Sequence, residues 1–203
     1  MTGSSQFNLL RKRRFAPFFA TQALSAFNDN AFRQALIVLV AFQLGLGDQE
    51  VGFYSNLAPA LFILPFFLFS ATAGQLADKF EKTRLIRFVK LFEIAAMVLA
   101  AYAFHARNIP LMLGVLFLMG LHSTVFGPIK YAIVPQALAP AELVGGNGLI
   151  EMGTSLAVLT GMIAGGALMA LAGFGATAAS ILVIGVAIIG YVASRMIPPA
   201  PPT

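Results

Sequence analysis

No cysteine occurs in the 203 residues. That absence removes disulfides, thiolate metal sites and cysteine nucleophiles together. Charge is nearly as scarce: 10% of the residues are Asp, Glu, Lys or Arg, where soluble domains carry about a quarter. Water is therefore the wrong solvent for most of this chain. There is no Walker-type phosphate loop, no glycine-rich nucleotide fingerprint behind a strand and no Ser-His-Asp set in a plausible pocket. Nucleotide-driven work and enzyme catalysis are thus excluded as expectations, and no cofactor is called for. With two histidines in all and no second ligand beside it, His122 reads as a hydrogen-bonded packing residue rather than a metal ligand.

What is present is hydrocarbon. Apolar residues make up 59% of the chain, and the mean hydropathy is +0.85. A bilayer core about 30 Å thick needs about 20 apolar residues per helix, so this length with short connections accommodates about six spans. The fold class expected is an all-α membrane protein with six transmembrane helices. The net charge of +5 does not point to nucleic acid. The bases sit in short clusters between apolar runs, as membrane lipids of an anionic leaflet would attract them.

Apolar runs and polar punctuation place helices at about 15–44, 51–77, 84–105, 110–137, 142–171 and 177–197. The run after Arg11, Lys12, Arg13 and Arg14 is too long for a signal peptide and lacks a small-residue cleavage pattern, so it reads as a retained span. Residues 1–14 form a basic cytoplasmic segment, 15–197 the six-helix bundle, and 198–203 a Pro-rich tail with the composition of a semi-rigid linker. Lys79, Lys82, Arg84 and Arg87 cluster after the second helix and Arg195 ends the sixth. The opposite connections hold one base, Arg107. The positive-inside rule then puts both termini in the cytoplasm, which requires an even number of spans.

Ionisable groups inside a span cost about 2.5 to 3.5 kcal/mol each and call for a partner or a wet cavity. In the first helix Gln22, Ser25, Asp29 and Arg33 recur at spacings of three and four, which stacks them on one face. Asn28 and Asn30 flank Asp29, and Arg33 is one turn away, close enough to pair with it. Two readings stand: interhelical glue, or a face turned to a central pathway. The fifth helix repeats the pattern with Asn147, Glu151, Thr154 and Ser155. Its glycines, Gly161 and Gly165 above all, suit close backbone approach. Glu151 must be protonated, hydrated or paired with a cation from another helix. Lys90 and Glu93, three apart, can pair, and Lys90 can reach the headgroups by snorkelling. The fourth helix offers Ser123 and Lys130, with Pro128 and Pro135 predicting a bend. Pro59 and Pro65 predict another in the second helix.

The stretch from Gly74 to Arg84 resembles the cytoplasmic loop signature of the major facilitator superfamily. Gly74, Asp78, Lys79, Lys82 and Arg84 match it, and Glu81 stands where the signature has a second glycine. Ala26-Phe27-Asn28-Asp29-Asn30, and Ser123 through Gly127, Pro128, Lys130 and Tyr131 to Pro135-Gln136, are similar to the lysophospholipid transporter branch of that superfamily. The resemblance implies the N-terminal half of a twelve-helix transporter in the bacterial inner membrane, completed by a second six-helix half or a second copy. It implies movement of lysophospholipids between leaflets by alternating access, with a fused or associated acyltransferase as a partner; export or symport of another small solute is the alternative. By position, Asp29 and Lys130 would belong to the polar lining of the substrate pathway, and Gly74, Asp78, Lys79, Lys82 and Arg84 to a cytoplasmic gate. The bottom-up pathway set is Gln22, Ser25, Asn28, Asp29, Asn30, Arg33, Ser123, Lys130, Asn147 and Glu151.

Overall fold

The computed structural model describes residues 6–202; the first five residues of the basic segment and the last of the Pro-rich tail lie outside the described part. Among the described residues the chain is all-helical. Six α-helices follow in order: α1 Ala16–Phe42, α2 Asp48–Lys79, α3 Lys82–Ala106, α4 Ile109–Ala137, α5 Leu143–Met169 and α6 Gly175–Arg195. Short 3-10 turns occupy Gln6–Arg11 and Pro140–Glu142. Each predicted segment corresponds to one of these helices. Four segments are long and apolar enough to cross a membrane: Asp48–Lys79, Ile109–Ala137, Pro140–Met169 and Gly175–Arg195.

The helix ends explain where the reading from sequence was off by a few residues. α2 begins at Asp48 rather than 51 because Asp48 and Glu50 lie in its first turn, where the exposed amides favour acids. α3 begins at Lys82 rather than 84 because the Glu81 carboxylate accepts from the Thr83 and Arg84 amides, an N-cap of the acidic kind. Asn108 caps α4 by accepting from the Leu111 amide. The chain turns at Gly45 and Gly173, both at positive φ, and at Arg107, whose φ of 50° is left-handed.

Small residues decide which helices touch. A side chain at Gly161 or Gly165 of α5 would collide with the backbone carbonyls of Phe27 and Ala31 on α1, so these two helices run backbone to backbone. Gly120 of α4 likewise abuts the Phe62 carbonyl of α2. α3 packs on α6 and α4, and α1 packs on α5 and α6. Two apolar clusters fill the interior. One gathers Phe32, Leu36, Met97, Phe104, Leu116 and Met119; the other gathers Phe15, Phe18, Ile86, Val89, Ile129 and Ile133. Between them, at matching depth on α1, α3 and α4, lies a buried polar layer of Ser25, Asn28, Lys90, Glu93 and His122. Large apolar side chains such as Phe67, Phe88 and Val144 point outward, as suits hydrocarbon rather than water.

The described residues flanking the six helices are tied to the bundle. Lys12 and Arg14 each form an ion pair of 2.5 Å with Glu142, and Arg14 also donates to the Ala137 carbonyl. The Pro-rich tail runs back along the start of α3: the Lys82 amide donates to the Ala200 carbonyl, the Ala200 amide to Glu81 and the Thr83 hydroxyl to the Pro198 carbonyl.

Candidate functional site

A cleft of about 350 Å³ opens between α1, α2, α4 and α5. The three-and-four spacing on α1 turns Gln22, Ser25, Asp29 and Asn30 into it; α4 adds Ser123 and Lys130, and α5 adds Thr154. Facing this polar wall are Phe62 and Phe66 of α2, Phe126 of α4 and Val158 of α5. The cleft is thus two-natured, with hydrogen-bonding groups on one side and aromatic and aliphatic surface on the other.

Asp29 is the buried charge at its centre. The Ser123 hydroxyl donates to Asp29 Oδ2 at 2.5 Å. The other oxygen, Oδ1, is buried and has no hydrogen-bond partner among the described residues. A carboxylate oxygen taken from water without a donor is costly, so this atom is left in want of a donor. Arg33, expected to pair with Asp29, turns elsewhere. Its guanidinium donates to Asn30 Oδ1 at 2.5 Å and lies 5.8 Å from the Phe62 ring centroid. Among the described residues Asp29 has no ion-pair partner, because the arginine side chain finds an amide and an aromatic face closer to the rim. Lys130 pairs with Glu151 at 3.2 Å and sits 4.9 Å from the Tyr131 ring centroid. Glu151, expected to be protonated, hydrated or paired with a cation from another helix, pairs with Lys130 of α4 while its side chain remains 59% exposed.

Four expected members stand outside the cleft lining: Asn28, Arg33, Asn147 and Glu151. Asn147 is exposed and outside its lining. Asn28, one residue before Asp29 and about 100° around the helix, points the other way and donates to Glu93 Oε1 at 2.9 Å. There it joins a cluster that only the fold assembles. Lys90 and Glu93 are wholly buried and 2.5 Å apart. Ser25 accepts from Lys90 at 3.0 Å and donates to Glu93 at 3.2 Å, and His122 Nε2 lies 3.0 Å from Glu93 Oε2. The predicted pairing of Lys90 with Glu93 is present, but the snorkelling of Lys90 is not. The side chain points into the bundle because Gly190 of α6 leaves the space its ammonium occupies. The i, i+3 spacing signalled the pair. Nothing local signalled that His122, from α4, would complete it.

At the other end of the molecule the loop after α2 is organised by Glu81. Partial burial pushes its carboxyl up, yet bonds from the Ala200, Thr83 and Arg84 amides outweigh this and hold it below the ordinary carboxylate range. Arg84 reaches the same acid at 3.6 Å, and Lys82 is buried, with its ammonium donating to the Pro201 carbonyl. Lys79 lies over the Phe80 ring, and Gly74 and Asp78 sit on the last turns of α2, with Asp78 exposed. Among the described residues Asp78 makes no ion pair, so the residue that departs from the signature, Glu81, performs the locking expected of the acid in it.

The sequence pattern of the Major Facilitator Superfamily matches residues 18–203. The chain belongs to this superfamily. Within it the similarity lies with the lysophospholipid transporter branch. The chain is 31% identical over 170 residues to the lysophospholipid transporter LplT of Photorhabdus laumondii, covering 82% of this chain and 39% of that protein. It is 33% identical over 154 residues to LplT of Salmonella arizonae, covering 72% and 34%, and 29% identical over 159 residues to LplT of Serratia proteamaculans, covering 78% and 37%. The chain thus spans well under half the length of the curated relatives it matches. Superfamily membership and the outward apolar faces make it a multi-pass membrane protein of a transporter family.

Proposed function

We propose that this chain forms the N-terminal six-helix half of a transporter that moves lysophospholipids between the leaflets of the bacterial inner membrane by alternating access. In this reading α1 and α3 span the bilayer with the other four helices. Their low apolarity reflects inward-facing polar groups, which a membrane tolerates when they are paired or line a cavity. Both termini lie in the cytoplasm, following the distribution of Lys and Arg. A second six-helix half, or a second copy, closes the cleft from the open side, and an acyltransferase acting on the delivered lipid is the partner that would consume the product.

The observation that carries the proposal is the two-natured cleft. A lysophospholipid has a charged headgroup and one acyl chain, and the lining offers both environments within one opening. Asp29, with an unoccupied acceptor oxygen, addresses the ammonium of ethanolamine. Lys130, on the same wall, addresses the phosphate. The acyl chain follows Phe62, Phe66 and Val158. The similarity to three transporters named for lysophospholipids points to the same substrate class.

Transbilayer movement of fluorescent lysophosphatidylethanolamine in vesicles tests this directly. Asp29→Asn is expected to slow it by about tenfold or more, the effect of losing one charge-assisted contact of about 1.5 to 3 kcal/mol. Lysophosphatidylglycerol, which has no ammonium, should be slowed less. Equal rates for variant and parent would remove Asp29 from the pathway.

A further inference from the structure

Arg33 is a half-buried cation within α1 that has no anion paired with it. Among the described residues it makes no ion pair. Its one hydrogen bond goes to the neutral amide of Asn30, and its guanidinium lies against the Phe62 ring. The amide is itself anchored: Asn30 Nδ2 donates to the Ala26 carbonyl one turn back, which leaves Oδ1 turned to the arginine. A guanidinium has five N–H donors, so most of those on Arg33 are uncommitted. Arg33 does not line the cleft, but Asn30 and Phe62, the two groups it rests on, both do. It therefore stands at the margin of the opening.

Lys130 marks the other end. α1 and α4 run in opposite directions, since Arg14 before the start of α1 donates to the Ala137 carbonyl at the end of α4. Arg33 lies past Asp29 toward the Phe42 end of α1, whereas Lys130 lies past Ser123, the partner of Asp29, toward the opposite end. Lys130 pairs with Glu151, and the adjacent Ile150 carbonyl accepts from Gln22 at 3.4 Å, which puts Lys130 at the level of Gln22. The rise of α1 from Gln22 to Arg33 is about 16 Å at about 1.5 Å per residue. One phosphate cannot touch both cations at once, and Asp29 lies between them.

We propose that Arg33 is a second phosphate station, at the end of the cleft away from Lys130, and that the lysolipid headgroup passes from one cation to the other as it crosses. This rests on reading the cleft as a lysophospholipid pathway. With both termini in the cytoplasm, Arg33 belongs to the outer half of the bilayer and Lys130 to the inner half, so the phosphate meets Arg33 first. A cation inside a span calls for a counter-ion, and a phosphate takes two donors of the guanidinium in a fork that the Asn30 amide cannot match. Lys130 is also loosely held, because its partner Glu151 is 59% exposed and such pairs are weak. Phosphate is common to the ethanolamine and glycerol lysolipids. This station therefore holds both alike, and discrimination between them falls to Asp29.

The test follows transbilayer movement of fluorescent lysophosphatidylethanolamine and lysophosphatidylglycerol by the full chain in vesicles, over a range of lysolipid concentrations. Arg33→Gln is expected to raise the half-saturating concentration of both lipids by about tenfold, the fold-change of losing one charge-assisted contact. Arg33→Lys, which keeps the charge but not the fork, should fall between that variant and the parent. The lack of native cysteine allows a readout that a merely structural arginine would not give. Arg33→Cys should behave as Arg33→Gln, recover when a thiol reagent attaches an ammonium and stay impaired when the reagent attaches a neutral group of similar size. Both lysolipids should slow that labelling. An unchanged Arg33→Gln, recovery with the neutral group, or an effect confined to the ethanolamine lipid overturns the proposal. Labelling that neither lysolipid slows also overturns it, because the counter-ion of Arg33 then belongs to the protein. Should Arg33→Gln fail to fold, the lysine variant and the labelled cysteine carry the test. If the parent itself moves neither lipid, the reading of the cleft as a lysolipid route has failed and the station falls with it, an outcome distinct from a silent Arg33→Gln in a parent that moves both.

Discussion

At the scale of single residues, the organising fact is that the charges inside the bundle are not equivalent. Lys90 and Glu93 are wholly buried and pair with each other, with Ser25 and Asn28 hydrogen-bonded to them and His122 Nε2 lying 3.0 Å from Glu93. Removing one partner strands the other, so Lys90→Met should destabilise the protein by about 3 to 5 kcal/mol. The double variant Lys90→Met with Glu93→Leu should recover most of that loss. Thermal unfolding in detergent would check both, and a single variant as stable as the parent would mean that the pair is hydrated. Much of this was legible in the sequence: the spacing of Lys90 and Glu93 announced a pair, and the stripe from Gln22 to Arg33 announced one polar face. What escaped was long-range. The Asp29–Arg33 pairing expected from proximity is displaced by Ser123 on one side and Asn30 on the other, and the first of these contacts depends on how α4 lies against α1.

At the scale of helices, close approach and end capping set the architecture. Gly165 meets the Ala31 carbonyl with no room for a Cβ, whereas Gly148 has nothing within 4 Å. Gly165→Val should therefore separate α1 from α5 and lower the yield of folded protein, with overpacking of about 1 to 3 kcal/mol or more. Gly148→Ala should be neutral or slightly stabilising by helix propensity. Size-exclusion profiles of the two variants distinguish these outcomes. The tie between the N-terminal segment and α5 is electrostatic. Hydrogen bonds from Lys12, the Ala139 amide and Arg14 hold the Glu142 carboxyl down at about 2, below its ordinary value of 4.5. A depressed folded-state value stabilises above the unfolded one and is lost as pH falls towards 2. The stability gap between the parent and Glu142→Gln should accordingly be full near neutrality and shrink between about pH 5 and 2. A gap that is constant across that window would show the tie to be absent in solution. Helix number and extent followed from apolar runs and breakers, while the ends shifted where a cap intervened. Glu81 is the clearest case: standing where the loop signature has a glycine, it proves to be the N-cap of α3 and an acceptor for the tail.

At the scale of the whole molecule, hydropathy alone was enough to predict a membrane protein, and four of the six helices meet that description by length and composition. α1 and α3 are the remaining two, and they carry all of the buried polar layer except His122 of α4. Their reduced apolarity and the existence of a polar interior have the same cause. The partition of outer surface from cleft could not be read from periodicity on α2, where Phe62, Phe66 and Phe67 belong to one unbroken apolar run. It took the fold to show that Phe62 and Phe66 turn toward Asp29 while Phe67 turns outward.

The account turns on the cleft being a solvated route for a lysolipid. The absence of native cysteine makes a direct probe available: a single Val158→Cys on the cleft wall and a single Phe67→Cys on the outer face, each treated in membranes with a water-soluble, membrane-impermeant thiol reagent. The account predicts that the cleft cysteine reacts and that lysophosphatidylethanolamine slows the reaction, while the outer cysteine stays unreactive. A cleft cysteine as inert as the outer one, or one whose reaction the lysolipid leaves unchanged, would contradict it.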